Sequence, residues 1–324
     1  MEYRDNTFDV MKGIAIIAMV LGHTHIPKYA SDFIFVWHMP LFFIVSGYFY
    51  KPYPIPLYIQ KNSRQLLLPY VLTSIVMIGM TYLKDILYDE KNTLDMIMAA
   101  LLGNGTENNA NFRDYVIGAT WFLLALFWCR IFFNFLFQKC SFSWKLLISV
   151  SCISVIATFC GTQIFIPTDI LQGLQAMFFF GVGYMLKYKN VFSYKIKTPE
   201  LLLIVFVGAL SVYSGSMSMA RCYYGFWPVN VFAAIGFTLV IYRISEVISC
   251  KLIHSNRLLA YIGRISIVVL CVHELEFFFM PLSLFHNLLE YSQQIDIIIH
   301  LFVALAVSLV IAQFSFVRKM FSLK

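Results

Sequence analysis

The first apolar segment of the chain carries an acid, a base and an imidazole on one helical stripe. Asp9, Lys12 and His23 fall within about 60° of one another on a wheel of 100° per residue. Lys12 and His23 are separated by about 16 Å of helical rise, so this face would connect the two leaflets of a bilayer. His25 points about 200° away from His23, and we expect at most one of the two to take part in catalysis.

The second apolar segment adds a histidine and a small-residue pair. His38 lies near the level of His23, which favours a functional role, although an interfacial histidine that only forms hydrogen bonds would also fit. Ser46 precedes Gly47, a pair that allows two helices to approach closely. We interpret Ser46 as a packing residue rather than a nucleophile.

Three more residues are candidates for the same chemistry. Arg64 precedes an apolar run and could bind phosphate with both arms of its guanidinium, or serve only as a cytoplasmic anchor. His273 and Glu276 lie one helical turn apart, so the carboxylate could orient the imidazole, or the pair could simply join two helices. The seven cysteines are scattered without a C-x-x-C spacing, and no metal site is expected.

The composition indicates lipid as the solvent for the elements that position these residues. Of the 324 residues, 60% are hydrophobic and 13% are charged, against roughly 25% charged in soluble domains. The net charge of +7 comes from basic residues in short loops, with no basic stripe or arm, so nucleic acid is not an expected partner. Asp9 and Lys12 at the start of the first segment, with no small-x-small cleavage site after it, argue against a removable signal peptide.

Apolar runs long enough to cross about 30 Å of hydrocarbon recur along the chain. They predict an all-α integral membrane bundle of ten transmembrane helices. The predicted spans are about 8–25, 33–50, 66–83, 119–137, 146–166, 170–186, 201–217, 226–243, 265–284 and 297–317.

The distribution of basic residues predicts the orientation. With both termini in the cytoplasm, 18 of the 24 Lys and Arg residues fall in cytoplasmic segments, as the positive-inside rule requires. The long connection 84–118 would then be external, with a short interfacial helix over 94–102. We expect one membrane domain over 1–324, without a fused extracytoplasmic domain.

These motifs resemble the acyltransferase 3 family of membrane O-acyltransferases over nearly the whole chain. The segment from Phe8 to His23 is similar to the family's basic-x10-histidine motif, with Lys12 where many relatives have Arg. Two further elements agree, His38 to Tyr48 and Gly263-Arg264-Ile265-Ser266 leading to His273. The internal loop departs from the pattern, because it offers Arg64 alone where some relatives have an Arg pair.

The resemblance implies a multi-pass enzyme of a bacterial-type inner or plasma membrane. Such an enzyme takes an acyl group, here expected to be acetyl, from cytosolic acyl-CoA and transfers it to a hydroxyl of a cell-surface or lipid-linked glycan. Without an extracytoplasmic domain, the acceptor would have to reach the membrane core. A transporter or flippase of a lipid-linked sugar is the alternative, since it would also place ionisable residues inside helices.

The roles expected from the resemblance follow the chemistry of acyl transfer. His23 would act as the general base and His38 as an oxyanion donor or a second imidazole. Asp9, Lys12 and Arg64 would organise the cytoplasmic mouth around the CoA phosphates. Direct transfer and a covalent acyl intermediate on His23 both fit these residues.

Overall fold

The computed structural model describes residues 6–106, 116–141, 143–194, 196–215, 217–251, 253–279 and 293–322. Within these ranges the protein is all-helical, with 82% helix and no strand. A π-helical turn, Ser63–Leu67, joins the third and fourth helices into one long element. The helices are α1 (Thr7–Gly22), α2 (Lys28–Tyr48), α3 (Ile55–Asn62), α4 (Leu68–Tyr88), α5 (Thr93–Leu102), α6 (Trp121–Cys140), α7 (Trp144–Gly161), α8 (Ile170–Tyr188), α9 (Thr198–Tyr213), α10 (Trp227–Lys251), α11 (Ile253–Arg264), α12 (Ser266–Phe279), α13 (Gln293–Ile311) and α14 (Ser315–Met320).

Five helical segments of the described residues are long and apolar enough to cross a membrane. Helices suit this solvent because they satisfy their backbone hydrogen bonds internally. A sixth span results if the bent pair α11 and α12 is taken as one. The five segments are Lys28–Tyr48, Ile55–Tyr88, Gly118–Cys140, Trp144–Gly161 and Trp227–Cys250.

A helix lies over each of the ten predicted apolar segments, but several are shorter than a full span. Thr198–Tyr213, for example, is an apolar helix of 16 residues. The protein is therefore a helical membrane protein with five or six spanning candidates, while ten spans and two cytoplasmic termini stay predictions. The helix expected over 94–102 is confirmed as α5, and residues 107–115 and 280–284 of the predicted elements lie outside the described residues.

Glycines let the first two helices pack closely against their neighbours. A methyl group on Gly263 of α11 would lie only 1.8 Å from the backbone oxygen of Asp9 in α1. A methyl group on Gly183 of α8 would lie 1.9 Å from the backbone oxygen of Ile44 in α2. Since only glycine permits such approach, these two contacts fix α1 and α2 in the centre of the bundle.

A sharp bend separates α11 from α12. The axes of Asn256–Arg264 and Ser266–Glu276 differ by 73° across this short break. Arg264 is the last residue of α11 and Ser266 the first of α12. The bend therefore directs two consecutive helices toward different parts of the interior.

Candidate active site

Three histidines from three helices line one cavity of 780 Å³, which we call the histidine cavity. His23 follows the end of α1, His38 lies in α2 and His273 lies in α12. The ring centroids of His23 and His273 are 5.5 Å apart. The side chain of His23 is exposed, whereas His38 and His273 are each only 1% exposed. The structure thus brings His23, His38 and His273, all three named as candidates from the sequence, around one cavity.

The hydrogen bond of His23 defines which ring nitrogen faces the cavity. His23 Nδ1 lies 2.8 Å from the backbone oxygen of Met19. A carbonyl oxygen can only accept, so a neutral His23 carries its hydrogen on Nδ1 and a lone pair on Nε2. That lone pair is what a general base requires.

His38 is held in the same way but has no second partner. Its Nδ1 donates to the backbone oxygen of Ile34 at 2.8 Å, and its Nε2 is buried without a hydrogen-bond partner among the described residues. A neutral His38 in this tautomer presents a lone pair rather than an N–H. It fits the second-imidazole role, and an oxyanion-donor role would need the protonated ring.

His273 and Glu276 share a buried region, but the carboxylate has a closer partner. His273 Nδ1 is 3.8 Å from Glu276 Oε2, whereas His300 Nδ1 of α13 is 2.6 Å from Glu276 Oε1. Glu276 therefore ties α12 to α13 through His300. His300 was not among the predicted site residues, although an imidazole inside an apolar segment is a signal for such a role.

Glu274 was likewise not among the predicted site residues. Its side chain lines the histidine cavity, and its Oε2 accepts a hydrogen bond of 2.6 Å from the backbone N–H of Ala119. Gly118 has φ of +48°, and a methyl group there would lie 2.1 Å from Glu274 Oε1. The Gly118-Ala119 turn therefore fixes the position of this carboxylate.

A separate cavity of 540 Å³, the basic cavity, is lined by cations. Its described lining residues include no carboxylate. Five cations around one cavity exceed the single carboxylate of the described residues, Asp9, that pairs with two of them, and such an excess of positive charge attracts phosphate. The cations are Lys12, Lys51, Lys61, Arg130 and Arg264.

Arg130 is the half-buried member of this cationic set that projects from α6. Its Nε donates to Ser46 Oγ at 2.9 Å, and its Nη1 donates to Asn62 Oδ1 at 2.9 Å and to Gln65 Oε1 at 3.4 Å. All three partners are neutral, so the guanidinium charge is not compensated by any of them. Ser46, predicted to be a packing residue, serves here as an acceptor that orients Arg130.

Asp9 joins two of the basic residues at the edge of this cavity. Lys12 Nζ lies 2.9 Å from Asp9 Oδ1, and Arg264 Nη1 lies 3.8 Å from Asp9 Oδ2. Lys12 lines the basic cavity while His23, on the same helix, lines the histidine cavity. The predicted stripe on α1 therefore does connect the two sites.

The structure does not bring Arg64 into either site. Arg64 is exposed in the π-helical turn, and it is absent from the linings of both cavities, as is His25. Arg130 takes the place expected for Arg64. The signal for it was present in the sequence, since an arginine inside an apolar segment is itself a functional-site hypothesis.

The fold and the two cavities define a helical membrane protein in which a basic cavity lies beside a histidine-lined one. The chain belongs to the acyltransferase 3 family, because the model of this acyltransferase domain matches residues 5–316. The protein is thus a membrane acyltransferase, and the resemblance seen in the sequence is confirmed. No curated protein and no solved structure gives a significant match.

Proposed function

We propose that this protein transfers an acyl group, acetyl in the simplest case, from acyl-CoA to a hydroxyl of a cell-surface or lipid-linked glycan. The observation that carries the proposal is that a cavity lined by five cations shares side chains with a cavity lined by three histidines. A bacterial-type inner or plasma membrane would supply both substrates, one from each side. The predicted topology puts the Lys12 end of α1, and with it the basic cavity, on the cytoplasmic side.

The donor would bind through its phosphates. Lys12, Arg130 and Arg264 converge on the basic cavity from three helices, and phosphate oxygens accept charge-assisted hydrogen bonds from such groups. Asp9 supports this arrangement by holding Lys12 and Arg264 together. Arg64, exposed on the adjacent turn, would contribute at most a longer-range attraction to the incoming anion.

The reaction would take place in the histidine cavity. His23 Nε2 removes the proton of the acceptor hydroxyl while the hydroxyl oxygen attacks the thioester carbonyl. An O–C bond forms, the C–S bond breaks, and the proton passes from His23 to the departing thiolate to give free CoA. His38 or His273 could carry the proton instead if His23 first became acylated, because their rings line the same cavity.

The test is a comparison of His23→Ala with His25→Ala in purified protein. With acetyl-CoA as donor and a membrane glycan fraction as acceptor, we expect His23→Ala to lose about 10²- to 10⁴-fold in transfer, the usual contribution of a general base. His25→Ala should lose much less, since His25 lies outside both cavities. CoA release and glycan acylation are measured together.

Retained binding of acetyl-CoA by His23→Ala separates a catalytic loss from unfolding. Full activity in His23→Ala together with loss in His25→Ala would move the base to His25. A different result is that the unchanged protein acylates no glycan in this assay and instead moves a lipid-linked sugar across the membrane of reconstituted vesicles. That result would refute the proposed transfer from acyl-CoA to a glycan.

A further inference from the structure

Three apolar side chains line both cavities at once. Met19, Met39 and Leu270 belong to the lining of the basic cavity and to that of the histidine cavity. They are 1%, 7% and 3% exposed, so they are packed between the two spaces rather than open to either. We call these three residues the wall.

Each wall residue lies within one helical turn of a histidine on its own helix. Met19 is one turn before His23, and its backbone oxygen accepts the hydrogen bond of that imidazole. Met39 directly follows His38 in the sequence. The wall and the imidazoles therefore form adjacent layers, separated by no more than about 6 Å of helical rise.

The third helix repeats this arrangement. Leu270 precedes His273 by three residues in α12, which is about 4.5 Å of rise. These three shared side chains therefore mark the boundary that a group crosses on its way from the basic cavity to the histidines.

We propose that the wall is the acyl-length selector of this enzyme and restricts it to short acyl groups. The inference rests on the proposed function, since it takes acyl-CoA in the basic cavity as the donor. The thioester carbonyl must reach His23 from the far side of the wall, so the acyl carbons pass between Met19, Met39 and Leu270 before the hydroxyl oxygen attacks. As the O–C bond forms and the C–S bond breaks, the proton moves through His23 to the CoA sulfur.

The side chains of the wall suit this role. Methionine is unbranched and has three rotatable bonds, so two methionines can turn aside for a slender pantetheine arm and a small acyl group. Each additional methylene needs space that a packed interior does not have. One methylene in an apolar pocket changes specificity by about 10- to 200-fold. The wall therefore limits chain length without any polar recognition.

A matched pair of leucine variants tests the proposal. Leu270 lines both cavities, whereas Leu126 lines only the basic cavity and is buried to a similar degree, 5% exposed against 3%. In Leu270→Ala, the ratio of kcat/KM for butyryl-CoA to that for acetyl-CoA should rise at least about tenfold. In Leu126→Ala, the same ratio should stay within about twofold of the unchanged protein, because that truncation enlarges only the donor site. Met39→Val provides a smaller change should Leu270→Ala not fold.

The opposite change should close the wall. In Met39→Phe, transfer should fall while the Kd for acetyl-CoA stays within about threefold, since the ring obstructs the wall but leaves the cations of the basic cavity in place. An unchanged butyryl to acetyl ratio in Leu270→Ala and Met39→Val, or an equal rise in Leu126→Ala, would overturn the selector role. Failure of the proposed function gives a different result, namely no transfer from any acyl-CoA by the unchanged protein.

Discussion

Removal of the Arg130 guanidinium should weaken donor binding in a way that depends on the donor's phosphates. Arg130 makes hydrogen bonds only to neutral groups, and its Nη2 has no hydrogen-bond partner among the described residues. A hydrogen bond to a charged group contributes about 1.5 to 3 kcal/mol. At about 1.4 kcal/mol per factor of ten, Arg130→Ala should raise the Kd for acetyl-CoA about 10- to 150-fold.

Arg130→Lys should give an intermediate loss, because lysine keeps the charge but not the fork that binds Ser46 and Asn62 together. Arg64→Ala provides the matched control. Arg64 is exposed and outside the basic cavity, so its removal should weaken binding less than either Arg130 variant. Titration calorimetry of the detergent-purified proteins measures all four affinities.

Acetyl-pantetheine, which lacks the nucleotide phosphates, makes the assay decisive. Its affinity should be nearly the same for the unchanged protein and Arg130→Ala, whereas the affinities for acetyl-CoA should differ. If Arg130→Ala weakened both donors equally, the residue would act by shaping the cavity through Ser46 and Asn62 rather than by binding phosphate. If Arg64→Ala caused the larger loss for acetyl-CoA, the assignment of the basic cavity to the donor would be wrong.

Three other outcomes follow from the packing and the predicted topology. Gly118→Ala should displace the Glu274 carboxylate, which lines the histidine cavity, and lower transfer at least about tenfold with little change in donor Kd; an unaltered rate would show that transfer does not depend on the position of this carboxylate. Gly263→Ala should lower the free energy of unfolding by about 1 to 3 kcal/mol, seen as a reduced melting temperature, because α11 can no longer approach α1. In a cysteine-free background, a thiol at Glu90 should react with an impermeant reagent in intact cells and one at Lys189 should not; the reverse pattern would invert the topology.

The positions of the helices could be predicted because a helix in lipid needs a run of apolar residues long enough to match the hydrocarbon thickness. Each predicted segment coincides with a helix, and the family resemblance drawn from the motifs around Lys12 and His23 is confirmed. The number of spans was less accessible. The 16 residues of α9 are apolar enough to be predicted as a span from hydropathy. The helix is nevertheless shorter than the roughly 20 residues that cross the hydrocarbon, so hydropathy alone does not determine whether it spans the membrane.

The candidate site shows where pattern alone reaches its limit. Helical periodicity placed Lys12 and His23 on one face, since Lys12 lies in α1 and His23 directly follows its last residue. It could not tell Arg64 from Arg130 as the cavity arginine, because that depends on how α6 packs beside α2 and the π-helical turn. Nor could it rank Glu274 against Glu276, two residues apart on α12, whose partners come from other helices.

The bend between α11 and α12 is a pivot, because a change of angle there would displace the side chains further along α12. Arg264 and Ser266, on either side of it, both line the basic cavity, while His273 lies about 10 Å further along α12. A rotation of about 5° at this pivot would move the imidazole by about 1 Å, enough to change a rate about 100-fold. A change in the packing around Arg264 and Ser266 in the basic cavity would therefore change the position of His273 in the histidine cavity.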